Sequence, residues 1–245
     1  MSTKETKTKI CDLEIHTVKK DIKNIHLGVY PPNGRVRVAA PLNTTDEKIK
    51  LLVISKMNWI KKQQAKFRKQ DRQTKREYVS GESHFFMGKR YLLNVVYTNS
   101  KPRVAIKRKS HIDMYTKPKT NNKKREKLMD NFYRSELKKQ IPPLIEKWKE
   151  VTGISVKEFR IKKMKTKWGS CNPEHQRVWL NLELAKKPLH SLEYVLVHEM
   201  THFIEKNHTE KFKMLMKSFI PQWSQYKDEL NNSKLGYSKW DYLVK

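Results

Sequence analysis

The chain has 245 residues, of which 54 are Lys or Arg and 25 are Asp or Glu, giving a formal net charge of +29. That length can bury a sizeable core, as one ordinary domain or as a catalytic domain with an extension. An aromatic content of 10% argues against disorder even at a hydrophobic fraction of 37%. No apolar run approaches the roughly 18 residues of a membrane span, and the opening MSTKETKTKI lacks the apolar stretch of a secretory signal. Two cysteines, Cys11 and Cys171, build no disulfide framework, so a cytoplasmic protein without membrane partners is expected.

The charge is uneven. Residues 151–245 hold 17 Lys and Arg against 10 Asp and Glu, a net of +7, so +22 of the total lies in residues 1–150. Such an excess attracts polyanions, DNA or RNA foremost, with binding that weakens as salt rises. The plain alternative is a solvated Lys-rich surface, since no known nucleic-acid reader motif is present.

In chain order, Leu13 to Val18 and Ile22 to Tyr30 alternate apolar and polar residues, and Asn33-Gly34 is a hairpin turn signal before VRVAA. An antiparallel β start is expected. Thr44 or Thr45 caps a helix running to Phe67, with Ile49, Leu52, Val53, Met57 and Ile60 on one face. Its basic continuation, Lys61 to Arg76, supplies Lys61, Lys62, Arg68, Lys69 and Arg72 as candidate nucleic-acid contacts. Lys107, Arg108 and Lys109, at the end of a later strand, are the others. Trp59, Phe67, Phe85 and Phe86 lie nearby in sequence and are read as core residues before base-stacking platforms. A meander of short strands is expected from Phe85 to Tyr115, then a linker-like stretch from Lys117 to Arg125. A long helix from about Lys123 to Glu150 should turn Leu128, Phe132, Leu137, Ile141, Leu144, Ile145 and Trp148 inward, kinked or interrupted at Pro142-Pro143. No internal repeat is evident.

In the last third, Glu158 to Met164 and Arg177 to Leu184 read as strands joined by a Trp168-Gly169-Ser170-Cys171 turn. Pro188 then opens a helix whose Leu192, Val195 and Leu196 face the core. That helix carries VLVHEMTHFIEKNH. Residues four apart share a helix face, so His198 and His202 can present imidazoles to one metal ion with Glu199 beside them. Zinc hydrolases keep three protein ligands and leave the fourth position to water, whose pKa falls to about 7. His208 is the third candidate, provided that the helix stops and the chain turns back; Glu205 or Glu210 would be the alternative ligand. Asn207, able to adopt a left-handed conformation, resembles with Glu210 a capping box that starts a new helix at His208. Zinc itself rests on ligand type, because imidazole sites also accept nickel, copper or iron. Cys171 is either a small packed residue after Trp168 or an inhibitory thiolate facing the metal. Phe212, Leu215, Met216 and Phe219 have the spacing of a buried helix face. His190, Tyr237 and Tyr242 are candidates for holding an oxyanion, with no spacing argument for any of them.

Residues 163–212, from KMKTKWGSCNPEHQ through RVWLNLEL to HEMTHFIEKNHTEKF, resemble the signature of the YgjP-like, SprT-related zinc metallopeptidase domains. The resemblance is close over about 124–225 and looser upstream. It implies a zincin fold with His198, His202 and His208 as ligands of one Zn2+ and Glu199 as catalytic base. Metzincins share the spacing but have Gly where this chain has Glu205. The resemblance further implies that an edge strand beside the metal helix pairs with an extended polypeptide substrate. That strand is expected at Arg177 to Leu184, with Trp168, Val178, Leu180 and Asn181 as substrate contacts.

The expected architecture is therefore α+β: a basic, antiparallel β-rich N-terminal region with one long helix at 1–118 and a zincin-like catalytic domain at 119–245, able to form one compact unit. The expected activity is zinc-dependent peptide-bond hydrolysis, near nucleic acid in one version. A nucleic-acid-binding protein with a mainly structural metal site and a hydrolase of a non-peptide amide are the alternatives.

Overall fold

A computed structural model of the chain describes residues 4–30, 34–69, 76–164 and 167–232. These residues form eleven strands and six α-helices, a mixed α+β architecture. They fall into two compact units, one holding the described residues up to 69 and the other those from 76 to 232.

In the first unit, β1 (Lys4–Ile10), β2 (Leu13–Lys20), β3 (His26–Tyr30) and β4 (Arg35–Pro41) form a sheet in the order β1-β2-β4-β3. Strand β1, KETKTKI, has too few apolar residues to stand out in the sequence. It pairs antiparallel with β2, and the expected hairpin of β3 and β4 is present. Gly34, in the turn between them, has φ +71°, while Asn33 lies outside the described residues. The sheet is not wholly antiparallel, because β2 and β4 run parallel. Thr45 caps α1 (Asp46–Ser55), its side chain accepting from the Lys48 N–H. The expected single helix is broken at Lys56, and α2 (Met57–Lys69) follows. Ile15, Val36, Val38, Ile49, Val53 and Ile60 form this unit's core.

The second unit opens with β5 (Ser83–Phe86), β6 (Lys89–Tyr97), β7 (Arg103–Arg108) and β8 (His111–Thr116), in the order β5-β6-β8-β7. An antiparallel pair, a parallel pair and an antiparallel pair recur here in the same sequence as in the first unit. The chain therefore contains a repeat of topology that its residues conceal.

The long helix α3 (Asn122–Thr152) is capped by Asn121, whose side chain accepts from the Lys124 N–H. It ends at Gly153, which is left-handed at φ +71° and returns its N–H to the Lys149 carbonyl. Pro142 and Pro143 do not interrupt it; both are exposed, so water can reach the carbonyls that their missing N–H groups leave unbonded. Met129, Tyr133, Leu137, Ile141 and Trp148 supply its buried face.

Strands β9 (Glu158–Lys162), β10 (Gly169–Asn172) and β11 (Arg177–Asn181) form a third sheet in the order β10-β11-β9. Here two expectations are corrected. The Trp-Gly-Ser-Cys segment is not a turn; Gly169 to Asn172 are a strand. Nor is the 177–184 segment an edge strand: β11 is central, antiparallel to β10 and parallel to β9, and gives way at Leu182 to a 3₁₀ turn, Leu182–Lys186. Three helices complete the unit, α4 (Leu189–Thr201), α5 (Glu210–Phe219) and α6 (Trp223–Asn232).

The domain boundary expected at 118/119 falls instead between 69 and 76. The reason is local: the β5–β6 turn donates from the Met87 and Gly88 N–H groups to the Ala185 and Lys186 carbonyls, and the Tyr133 hydroxyl donates to the Phe85 carbonyl. Tyr91, Leu93, Ile112 and Met114 thereby share one core with α3 and α4. No helix among the described residues is long and apolar enough to cross a membrane.

Candidate metal centre

Helix α4 is buried over most of its length, with Leu192, Val195, Leu196, Val197 and Met200 inside the core. It therefore holds the residues it carries in fixed register. His202 is its C-terminal cap and keeps helical backbone angles, φ −65° and ψ −12°, so the four-residue spacing places His198 and His202 on one face. The chain then loosens through tight turns, in which the Phe203, Ile204 and Glu205 N–H groups bond back to Met200 and Thr201, and it reverses.

The next helix starts two residues later than expected. Thr209, not Asn207, is the cap of α5, its side chain accepting from the Phe212 N–H, and Asn207 is not among the described residues with positive φ. His208 sits immediately before that cap. Thr201 ties the two helices together, its hydroxyl bonded to the Val197 carbonyl and to the Met216 sulfur.

This fold-back brings the three imidazoles together. Potential ligand atoms of His198, His202 and His208 all lie within 4.8 Å of one another, with the Nε2 atoms of His198 and His208 at 3.0 Å. Phe212, 1% exposed, forms the floor, its ring centroid 5.0, 4.7 and 4.8 Å from those of His198, His202 and His208. His202 Nδ1 lies 3.1 Å from the Glu205 carbonyl, a contact that suits an N–H there and leaves Nε2 with its lone pair. Glu205 thus contributes its backbone beneath a ligand; among the described residues, neither its carboxylate nor that of Glu210 belongs to the cluster. Burial, then the charges of the neighbouring histidines, lower the His198 pKa to about 3, and burial also lowers that of His208. Both rings are held neutral, the ligating form.

The donor set fits a divalent transition ion. Tetrahedral zinc with Zn–N of about 2.0–2.1 Å needs nitrogens roughly 3.3 Å apart; here one pair lies at 3.0 Å and all lie within 4.8 Å. Among the described residues the cluster has three members, the number that catalytic zinc sites use when the fourth position is left to water.

Glu199 lies beside this triad, 7% exposed. It faces β10. A Cβ on Gly169 would fall 2.7 Å from Glu199 Oε1 and 2.9 Å from Val195 Cγ1, so only glycine lets the strand approach the carboxylate this closely. Two residues along the same strand, Cys171 lies on the same strand face as Gly169, and burial, then the Glu199 charge, push its thiol up to about 12. Burial raises the Glu199 pKa to about 7, against the neighbouring Cys171 thiol and the Lys167 charge, which lower it. Cys171 stands outside the histidine cluster and is no fourth ligand among the described residues.

The substrate contacts expected on β11 are not available. Val178 and Leu180 are fully buried, and Asn181, 4% exposed, is spent on the chain itself. Its amide donates to the Met164 and Lys167 carbonyls, and its oxygen accepts from the Met164 and Glu183 N–H groups. Asn181 holds the segment that leads into β10. Trp168, half-buried with the Lys187 ammonium 5.6 Å from its ring centroid, is the one expected contact still beside the edge strand. His190 is ruled out as an oxyanion donor: eight residues before His198, it lies about 12 Å along the helix axis, paired with Glu229 and stacked on Tyr226. Tyr237 and Tyr242 lie outside the described residues.

The basic residues divide between the units. Lys61, Lys62 and Arg68 are exposed on α2 near Trp59, itself 42% exposed; Lys69 ends that helix and Arg72 is outside the described residues. Phe67 also lies on α2, while Phe85 and Phe86 belong to β5 of the other unit, where Phe86 packs on Phe132. Lys107 and Arg108 end β7, Lys109 is exposed in the turn after it, and the Lys107 ammonium lies 5.2 Å from the Tyr115 ring centroid.

Three histidines, a buried carboxylate and an edge strand on an α+β frame define a metal-dependent peptidase. The chain belongs to the YgjP-like family: the model of the YgjP-like, metallopeptidase domain matches residues 23–233. No curated protein matches the sequence. Among solved structures, a crystal structure of the metallopeptidase zymogen of Pyrococcus abyssi abylysin is similar at 18% identity and a TM-score of 0.34, over 36% of this chain and 89% of that one.

Proposed function

We propose that the protein is a zinc-dependent, zincin-like peptidase in which Glu199 is the general base and His198, His202 and His208 hold the ion. The observation that carries this reading is the placement of a buried carboxylate on the helix whose His198 and His202 gather with His208, against an edge strand. A zinc ion in that position supplies a Lewis acid and makes water acidic near neutral pH. Glu199 accepts the proton of the attacking water and returns it to the leaving nitrogen. Strand β10, and not β11, offers the backbone edge along which an extended polypeptide pairs, with Trp168 at its start.

Glu199→Gln should abolish casein cleavage by the zinc-loaded protein while leaving the zinc content unchanged. A Gln variant that cleaves at the wild-type rate would remove Glu199 from the mechanism. The exposed Lys61, Lys62 and Arg68, in a chain of net charge +29, favour a second property, binding of nucleic acid near which the peptidase acts.

A further inference from the structure

We propose that the outer face of the β5-β6-β8-β7 sheet binds single-stranded nucleic acid, seating one base on the Arg103–Tyr115 pair and a second in a cavity beside His111. The inference rests on the nucleic-acid property proposed above and gives it a site in the unit that carries the metal centre. Leu93, Ile112 and Met114 belong to the core, so strand alternation turns Asn94, His111, Asp113 and Tyr115 to the opposite face, with Asn94 opposite Asp113 and Arg103 opposite Tyr115. Strands β6 and β8 are the two central strands, so a ligand on this face meets side chains and not a free backbone edge.

The side chains there are arranged for stacking. The Arg103 guanidinium lies 4.1 Å from the Tyr115 ring centroid and the Lys107 ammonium 5.2 Å from it. The Tyr115 hydroxyl donates to one oxygen of Asp113 at 3.2 Å, which fixes the ring, and the Asn94 amide donates to the other oxygen at 3.0 Å. Those two bonds occupy Asp113, the one carboxylate in four strands that carry Lys89, Arg90, Arg103, Lys107 and Arg108. The face therefore suits a polyanion, and both an aromatic ring and a guanidinium plane accept a stacked base. Four residues back along β8, about 13 Å from Tyr115, His111 lines a cavity of about 310 Å³ with Asp113, Asn94, Ser80 and Gly81. A Cβ on Gly81 would meet nothing within 4 Å, so the space beside it is open. His111 Nδ1 is engaged by the Ser110 hydroxyl and Ser80 Oγ accepts from the Val95 N–H, which leaves His111 Nε2 and the Ser80 O–H for the polar edge of a base. Stacked neighbours in a helix are only about 3.4 Å apart, so sites this far from each other take a strand whose bases are splayed, and a duplex with its bases turned inward does not fit.

The test is fluorescence anisotropy of a labelled oligothymidine with the full chain. Arg103→Ala should weaken binding about tenfold or more, and Arg103→Lys, which keeps the charge but not the plane, should recover little of the loss. Lys107→Ala should lower the salt slope by about 1. Arg103 is exposed, so its replacement should leave the melting temperature unchanged. Irradiation of a 5-iodouracil-substituted oligonucleotide should join it to the peptide that contains Tyr115, and a duplex of the same sequence should not crosslink there. Full affinity in Arg103→Ala, full recovery by Arg103→Lys, or crosslinks confined to α2 would overturn the proposal while leaving nucleic-acid binding to α2. An oligothymidine that the wild type does not bind at 50 mM salt would remove the nucleic-acid property altogether.

Discussion

Adding one methyl group at Gly169 tests the packing of the site more sharply than removing a ligand would. In Gly169→Ala the new Cβ would lie 2.7 Å from Glu199 Oε1, 2.8 Å from Glu199 Cγ and 2.9 Å from Val195 Cγ1. Carbon atoms in contact sit at about 3.5–4.0 Å, so roughly 1 Å must be found. Strand β10 cannot easily give way, being paired with β11 from Gly169↔Leu180 to Asn172↔Arg177. The other neighbour is α4, whose core face is closely packed, so Glu199 itself has to move. Overpacking of this kind costs about 1–3 kcal/mol, which lowers the melting temperature by roughly 2–10 °C for a unit of this size. A displacement of about 1 Å at the base lowers kcat on the order of 100-fold. Calorimetry and casein cleavage read the two effects, with zinc content as the control. Val195→Ala removes one of the three clashes, so the double variant should be less destabilised than the sum of the single changes, yet no more active, because Glu199 is still displaced. Wild-type kcat and melting temperature in Gly169→Ala would refute the reasoning.

Asn181→Ala deletes four hydrogen bonds at a buried position. It should cost about 3–4 kcal/mol in denaturant unfolding, at roughly 1 kcal/mol each; a loss below about 1 kcal/mol would mean that the segment before β10 is held by other contacts. Metal loading should release protons. Because burial raises the Glu199 pKa to about 7, the group is near half-protonated at pH 7 in the metal-free protein. A dication nearby favours the carboxylate, so titration calorimetry in buffers of different ionisation enthalpy should find about half a proton released at pH 7, falling in Glu199→Gln. Release unchanged in that variant would assign it elsewhere, though not to His198, already neutral at that pH. For the nucleic-acid property, fluorescence anisotropy with a single-stranded oligonucleotide should show affinity falling steeply with salt, by about a tenfold or more between 50 and 200 mM. Replacing Lys61, Lys62 and Arg68 together by Glu should weaken it; binding insensitive to salt would exclude a phosphate-driven contact.

The metal helix was the most legible part of the chain, because the spacing of His198 and His202, the apolar residues before them and the later His208 each restrict the structure locally. Thr45 and the buried face of α3 were legible for the same reason. What the sequence concealed depends on partners distant in the chain. Strand β1 is stabilised by pairing with β2, not by its own Lys- and Thr-rich residues. The parallel pairs β2–β4 and β6–β8 carry no local mark, so the recurring sheet topology is invisible to residue comparison. Gly169 and Cys171 looked like a turn because glycine and serine favour turns; the close approach of α4 is what requires glycine there. Asn181 looked like a substrate contact until its four hydrogen bonds placed it inside the protein.

Metal content of the purified full chain, measured by mass spectrometry after zinc loading and dialysis, tests the central claim most directly. About one zinc per chain in the wild type is expected, with weakened retention in His208→Ala and none when His198, His202 and His208 are all replaced by Ala. No zinc in the wild type, or an equal amount in the triple variant, would contradict a metal centre built from these three residues.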